Sequence, residues 1–173
     1  QFKNLQRAKA RLAIIVPITL AAIFLLLIRY FGSYRQSLLV FMGIPTAIVG
    51  GVLTLNVVGM NFSISAGVGF IALMGIAILN SLVLVSHYDE LLEKNPDADV
   101  KKLILDGTLD RFRPVVITTL VAGLGFLPMA INSGLGSEVQ KPLASVVIGG
   151  LIIATMLTAL LLPTLYTMIF SHP

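Results

Sequence analysis

The sequence predicts an all-α integral membrane protein with five transmembrane helices and one amphipathic helix at the membrane surface. From Gln36 to Ser86 the chain places no Asp, Glu, Lys or Arg. A helix crossing a hydrocarbon core of about 30 Å needs roughly 20 mostly apolar residues, so this stretch is long enough for two crossings. Composition agrees: hydrophobic residues make up 57% and charged residues 12% of the chain, with a mean hydropathy of +0.97. An ordinary soluble domain carries about 25% charge. The formal charge of +4 is the basic balance expected of positive segments flanking membrane spans.

Charge-free windows give the elements in order. The first span is expected at about 12–30 and the second at about 38–58, where Gly59-Met60-Asn61 breaks it. The third is expected at 62–86, the fourth at 114–131 and the fifth at 142–169. Pro17, Pro45, Pro128 and Pro163 fall inside or near these spans, where a membrane helix can kink and satisfy its freed carbonyls on neighbours. Small residues recur every fourth position at Gly43, Ala47 and Gly51, at Thr118 and Ala122, and at Ser145 and Gly149. Such faces let helices approach closely where no hydrophobic effect drives them together, so the spans are expected to pack as a bundle.

The one long hydrophilic stretch, His87 to Arg113, carries an Asn95-Pro96 pair that reads as a helix cap and first-turn proline. Val100, Leu103, Ile104 and Gly107 then share a face, with Asp97, Asp99, Lys101, Lys102 and Asp106 on the others. This pattern predicts a surface helix over about 96–110, lying along the membrane. Five spans put the termini on opposite sides. Lys3, Arg7, Lys9, Arg11 and Lys141 fall on one side; Arg29, Arg35, Lys94, Lys101, Lys102, Arg111 and Arg113 fall on the other, which is expected to be cytoplasmic. The amino terminus is then outside and the carboxyl terminus cytoplasmic. Gln1 to Arg11 is polar and basic, unlike a signal peptide, and reads as part of something larger.

Chemistry is bounded by what the chain lacks. With no Cys, disulfides, thiolate metal sites and cysteine nucleophiles are excluded, and His87 and His172 alone do not make an imidazole metal cluster. The Gly pairs at Gly50-Gly51, Gly67-x-Gly69, Gly123-x-Gly125 and Gly149-Gly150 sit in apolar helices without a P-loop Lys, so close packing or bending explains them better. Met42, Met60, Met74, Met129, Met156 and Met168 share no spacing and read as packing residues. No nucleic-acid partner and no bound cofactor are expected. Inside the spans the polar groups are neutral: Ser63, Ser65, Asn80, Thr118, Thr119, Thr155 and Thr158. Asn80 is the least expected of these, because its amide must find partners in a medium that offers none.

Three stretches carry a resemblance. The run from Phe62 through Gly75-Ile-Ala-Ile-Leu-Asn80, the segment Arg111-Phe-Arg-Pro-Val-Val-Ile-Thr118 with Gly125-Phe-Leu-Pro128, and Gly134-Leu-Gly-Ser-Glu-Val-Gln-Lys-Pro-Leu143 with Gly149-Gly150 resemble the resistance-nodulation-division exporters in order. The last of these is most similar to their heavy-metal branch. The resemblance implies a proton-driven secondary transporter of the inner membrane rather than an enzyme. It further implies twelve spans with two large periplasmic insertions, working as a homotrimer with a periplasmic adaptor and an outer-membrane channel.

On that resemblance this chain is spans eight to twelve, with 1–11 the end of a periplasmic domain and 12–173 the C-terminal helical domain; the N-terminal half of the bundle lies outside it. Thr118 is similar to a polar Thr of the eleventh span and Asn80 to a recurrent Asn of the tenth. Both become proton-relay candidates expected to face acids on the absent fourth span, while Gly43, Ala47, Gly51, Ser145 and Gly149 become packing positions. Leu79 stands where drug exporters resemble one another in carrying Lys and copper or silver exporters in carrying an acid. Leu followed by Asn is more similar to exporters of zinc, cobalt, cadmium or nickel. A nonconducting scaffold subunit, or an exporter of drugs or lipids from the same superfamily, are the other readings the residues allow.

Overall fold

The computed structural model describes residues 2–61 and 63–170. Phe62, the expected first residue of the third span, and His172 lie outside the described residues. The chain divides into two compact units, residues 1–38 and 39–173. The first contains α1 (Phe2–Phe31), whose helix runs unbroken from the basic segment into the apolar one. Pro17 removes one N–H from its ladder, and, two residues on, Thr19 donates its hydroxyl to the Ile15 carbonyl at 2.8 Å. Gly32, at φ 70°, ends the helix, its N–H reaching the Ile28 carbonyl at 2.7 Å.

The second span comes in two pieces, α2 (Tyr34–Phe41) and α3 (Gly43–Val58), and the boundary between the two units falls within α2. At Met42 the backbone N–H turns back to the Leu39 carbonyl at 3.2 Å. Pro45 then sits in the first turn of α3, where its missing N–H would have had no helical partner. Gly59 closes α3 at φ 80°, with its N–H on the Leu55 carbonyl at 2.9 Å. Ser63 opens α4 (Ile64–Lys94) by accepting the Ala66 N–H at 3.2 Å, and Asp99 opens α5 (Val100–Ile131) by accepting from Lys101. Before α6 (Ser137–Phe170) comes a turn in which Gly134 donates to the Asn132 side chain at 3.0 Å and Gly136 takes φ 87°.

Two sequence expectations are corrected here. Asn95 closes α4 instead of opening a helix: its side-chain amide donates to the Leu91 carbonyl at 3.2 Å. The surface helix expected at 96–110 is the first third of α5, continuous with the fourth span through Pro114. Its expected apolar face is real, with Ile104 and Gly107 buried, but α4 covers it; a Cβ on Gly107 would meet the Leu91 and Tyr88 side chains. The physical reason is length. At about 1.5 Å per residue, α4 and α5 each exceed a hydrocarbon core of about 30 Å. Their polar ends therefore emerge together and pack on each other.

In the second unit, α6 packs against α3, α4 and α5, and α4 also packs against α3 and α5. Small residues set these contacts. A Cβ on Gly50 would stand 2.7 Å from the Gly150 carbonyl oxygen, and one on Gly69 would stand 2.9 Å from the Leu143 carbonyl oxygen. The expected packing positions lie along the same seams: Gly43 faces Ser81 and Ala77, Gly51 faces the Phe70 ring, Gly149 faces Thr54, Ala47 is fully buried, and Ser145 is half-buried. Phe70, Leu73, Leu55, Val146 and Leu151 fill the space around these contacts. Gly123 and Gly125 are different, with open space where a Cβ would be.

Gly50→Ala is expected to cost about 1–3 kcal/mol by pushing α3 off α6. Gly75→Ala, where a Cβ meets nothing within 4 Å, is expected to be neutral or slightly stabilising. Thermal unfolding of the two variants in detergent makes the comparison; equal shifts would remove the close approach as the limiting contact.

Candidate functional site

Four helices each send neutral polar groups to one level of the bundle. Thr46 comes from α3, Asn80 and Ser81 from α4, Thr119 from α5 and Thr158 from α6, all buried, with Thr155 beside them half-buried. Each Thr has a single proton to donate. Thr119 gives its proton to the Val115 carbonyl at 2.9 Å, so in its 3.0 Å contact with Thr155 it accepts. Thr46 likewise donates to the Gly43 carbonyl at 2.7 Å, which leaves Thr158 the donor in a longer, weaker 3.5 Å contact. Thr155 and Thr158, three residues apart on α6, thus join that helix to α5 and to α3.

Asn80 turns into a crevice between α4, α5 and α6. Thr155 and Thr158 line its inner end, and Thr108 and Arg111 line the end toward the polar helix extensions. The space is about 10 Å³, the scale of one water molecule. Asn80 is only 7% exposed, and none of the described residues hydrogen-bonds its amide. A buried amide in that state calls for a water or a group from outside the chain. Ser81 Oγ is also buried and unpartnered.

The two relay candidates are therefore not together. Thr118 is exposed and donates to the Pro114 carbonyl at 2.9 Å, whereas Asn80 points into the chain's own bundle. Asn80 thus lies inward among α4, α5 and α6 while Thr118 faces outward, and the acids expected opposite them are not in this chain. Adjacent helix residues are turned about 100° from each other, so Leu79, at 55% exposure, occupies the open face that Asn80 leaves. On α5 the same rule puts Thr118 outward and Thr119 inward.

A second cluster lies where the helix extensions emerge. The Tyr88 and Thr108 hydroxyls are 2.5 Å apart, and Thr108 donates onward to the Ile104 carbonyl at 2.8 Å. Tyr166 donates to Asp89 at 2.5 Å, and its ring lies 5.1 Å from that of Tyr88. These contacts tie the α4 extension to both α5 and α6. His87 Nε2 stands 3.5 Å from Asp110 Oδ2, an electrostatic contact too long to count as a hydrogen bond, and neither ring nitrogen has a hydrogen-bond partner. At the exposed end, the hydrogen bond and charge of Lys94 at 2.8 Å hold the Glu90 carboxyl below its ordinary pKa; water screens that pair, so it adds little stability.

Sequence reasoning missed Thr46, Ser81 and the Tyr88, Asp89 and Tyr166 cluster. For Thr46 a periodic sign existed: Gly43, Thr46, Gly50 and Thr54 fall three and four residues apart, on one helix face. Nothing comparable marks Tyr166, whose partner Asp89 is remote in sequence. Among the described residues, no three His, Asp or Glu side chains come together as a metal site.

A family model described as the AcrB/AcrD/AcrF family matches residues 1–170. Protein HelA of Legionella pneumophila is 57% identical over 96% of this chain and 16% of its own length. The cobalt-zinc-cadmium resistance protein CzcA of Cupriavidus metallidurans is 50% identical over 95% of this chain and 15% of its own length. The X-ray crystal structure of a heavy metal efflux pump superposes with a TM-score of 0.87 at 46% identity, covering 99% of this chain and 17% of that one. The chain thus spans about a sixth of the length of the proteins it matches. With the family model covering nearly every residue, and with identities of 50% and more to heavy-metal efflux relatives over 95% of the chain, the chain belongs to the AcrB/AcrD/AcrF family of resistance-nodulation-division proteins, on its heavy-metal efflux branch.

Proposed function

We propose that the chain is the C-terminal membrane portion, spans eight to twelve, of a proton-driven exporter of heavy-metal cations in the inner membrane. The observation that carries this reading is the 50% identity to a cobalt-zinc-cadmium resistance protein, kept over 95% of this chain. Zinc, cobalt, cadmium or nickel is the proposed cargo; the neutral Leu79-Asn80 pair and that relative's name support the choice. Metal ligands would then be supplied by residues beyond this chain, in keeping with its lack of intramembrane charge. A homotrimer, a periplasmic adaptor and an outer-membrane channel complete the assembly on this reading, and proton-motive force drives it.

The chain's own residues have a mechanical part in that scheme. Acids on a span outside the chain would take up and release protons opposite the open face that carries Leu79 and Thr118. Protonation removes charge there and changes how tightly that face is held. Because α6 is bonded to α5 through Thr155 and to α3 through Thr158, a shift of α5 is passed to the other helices of the second unit. Asn80 acts from inside, with a water in the crevice, as the polar hinge between α4 and the α5–α6 pair.

Two experiments test this. In the protein expressed from its complete reading frame, Asn80→Leu is expected to lower zinc, cobalt, cadmium or nickel resistance severalfold at unchanged membrane abundance and assembly. Undiminished resistance would count against any relay or hinge role. For topology, single thiols are introduced into the protein expressed from its complete reading frame, with any Cys outside this Cys-free chain replaced by Ser. Leu135→Cys, in the α5–α6 turn, is expected to react with a membrane-impermeant maleimide in intact spheroplasts, and Asp97→Cys only after permeabilisation. The reverse pattern would invert the proposed orientation.

A further inference from the structure

The first acidic residue in this sequence is Asp89, so α1 carries Lys3, Arg7, Lys9, Arg11 and Arg29 with no carboxylate of its own. Lys3, Arg7 and Arg11 follow one another at four-residue intervals in a continuous helix and therefore share a face. All three are exposed. Lys9 is about 240° around the helix from Lys3 and lies on the far side. The face that is cationic over 3–11 continues as Ile14, Ile18 and Leu25, which are also exposed. From Ile14 to Leu25 is about 16 Å of helix at roughly 1.5 Å per residue, close to half of a hydrocarbon core of about 30 Å.

We propose that this stripe is a binding site for one anionic phospholipid: Lys3, Arg7 and Arg11 hold its phosphate-bearing headgroup, and Ile14, Ile18 and Leu25 carry an acyl chain down one leaflet. Charge complementarity selects the headgroup, and the length of the apolar stripe selects a lipid over a soluble anion, which would have no use for it. Arg suits the role because its planar fork pairs with two phosphate oxygens at once. The inference goes beyond the transport reading and holds whether or not that reading does.

The test is native mass spectrometry, in mixed micelles, of the protein expressed from its complete reading frame, titrated separately with phosphatidylglycerol and phosphatidylcholine. Lys3→Gln/Arg7→Gln/Arg11→Gln is expected to weaken phosphatidylglycerol binding at least about tenfold, since a basic group near an anionic surface is worth roughly fivefold. Phosphatidylcholine binding and Lys9→Gln should show no such change. Weakening by Lys9→Gln as large as that by Arg7→Gln alone would reduce the site to diffuse charge and overturn it. No weakening by the triple variant would also overturn it, leaving the stripe to an acidic protein surface or to water. If the triple variant fails to assemble, Arg7→Gln alone, at the centre of the stripe, is expected to cost about fivefold, and Arg7→Lys, which keeps the charge without the fork, to restore only part of it.

Discussion

The closeness of α3 and α6 at Gly50 and Gly150 is the contact on which the second unit depends. Lipid tails are as apolar as Leu, so burying side chains between helices yields no hydrophobic gain; dispersion and hydrogen bonds must hold them. Both weaken steeply with distance. With the Gly50 backbone against the Gly150 carbonyl and Gly51 against Phe70, the helices come near enough for Thr46 to reach Thr158 and for Thr54 to fill the space beside Gly149. One added methyl at that crossing would separate the hydroxyls as well as the backbones.

α6 is consequently the helix that organises the others. It presents Gly149 and Gly150 to α3, Leu143 to Gly69 of α4, and Thr155 to α5. Its far end is held by a different kind of contact, the Tyr166 hydroxyl on Asp89 beside the Tyr88 ring. Small residues fix the helices within the apolar zone, and aromatic residues with polar tips fix them where they leave it. Each kind is placed where its chemistry is cheapest: bare backbone contact needs no partner in lipid, while a Tyr hydroxyl or an Asp needs one and finds it at the polar ends.

Much of this was legible in the sequence because length and charge are one-dimensional quantities. The five apolar stretches, the break at Gly59 and the small-residue faces all follow from spacing alone. Helix ends in the polar region did not follow. Asn95-Pro96 fits an N-cap as well as it fits a C-terminal stop, and only the Leu91 carbonyl, one turn back, decides between them. The apolar face of 100–107 was seen, but no local pattern says whether lipid or the α4 extension covers it. For the candidate site the limit was rotational: Thr118 and Thr119 are equivalent as composition, and packing against α6 selects Thr119 as the inward one.

That rotation bears on how the neutral Leu79-Asn80 pair is to be understood. Two consecutive helix residues cannot address the same neighbour, so a motif that is contiguous in sequence acts on two surfaces. Leu79 and Thr118 are both exposed, and Asn80 lies with Thr155 and Thr158 in the crevice. On the proposed reading, any charge that relatives place at the first position would meet groups beyond this chain, while the amide at the second holds α4 to α5 and α6. Losing the charge at Leu79 therefore leaves the internal joint intact. On that reading the same five helices can serve pumps whose open faces carry different chemistry, because the residue that shapes the joint and the one proposed to face the proton chemistry are about a hundred degrees apart on the same turn.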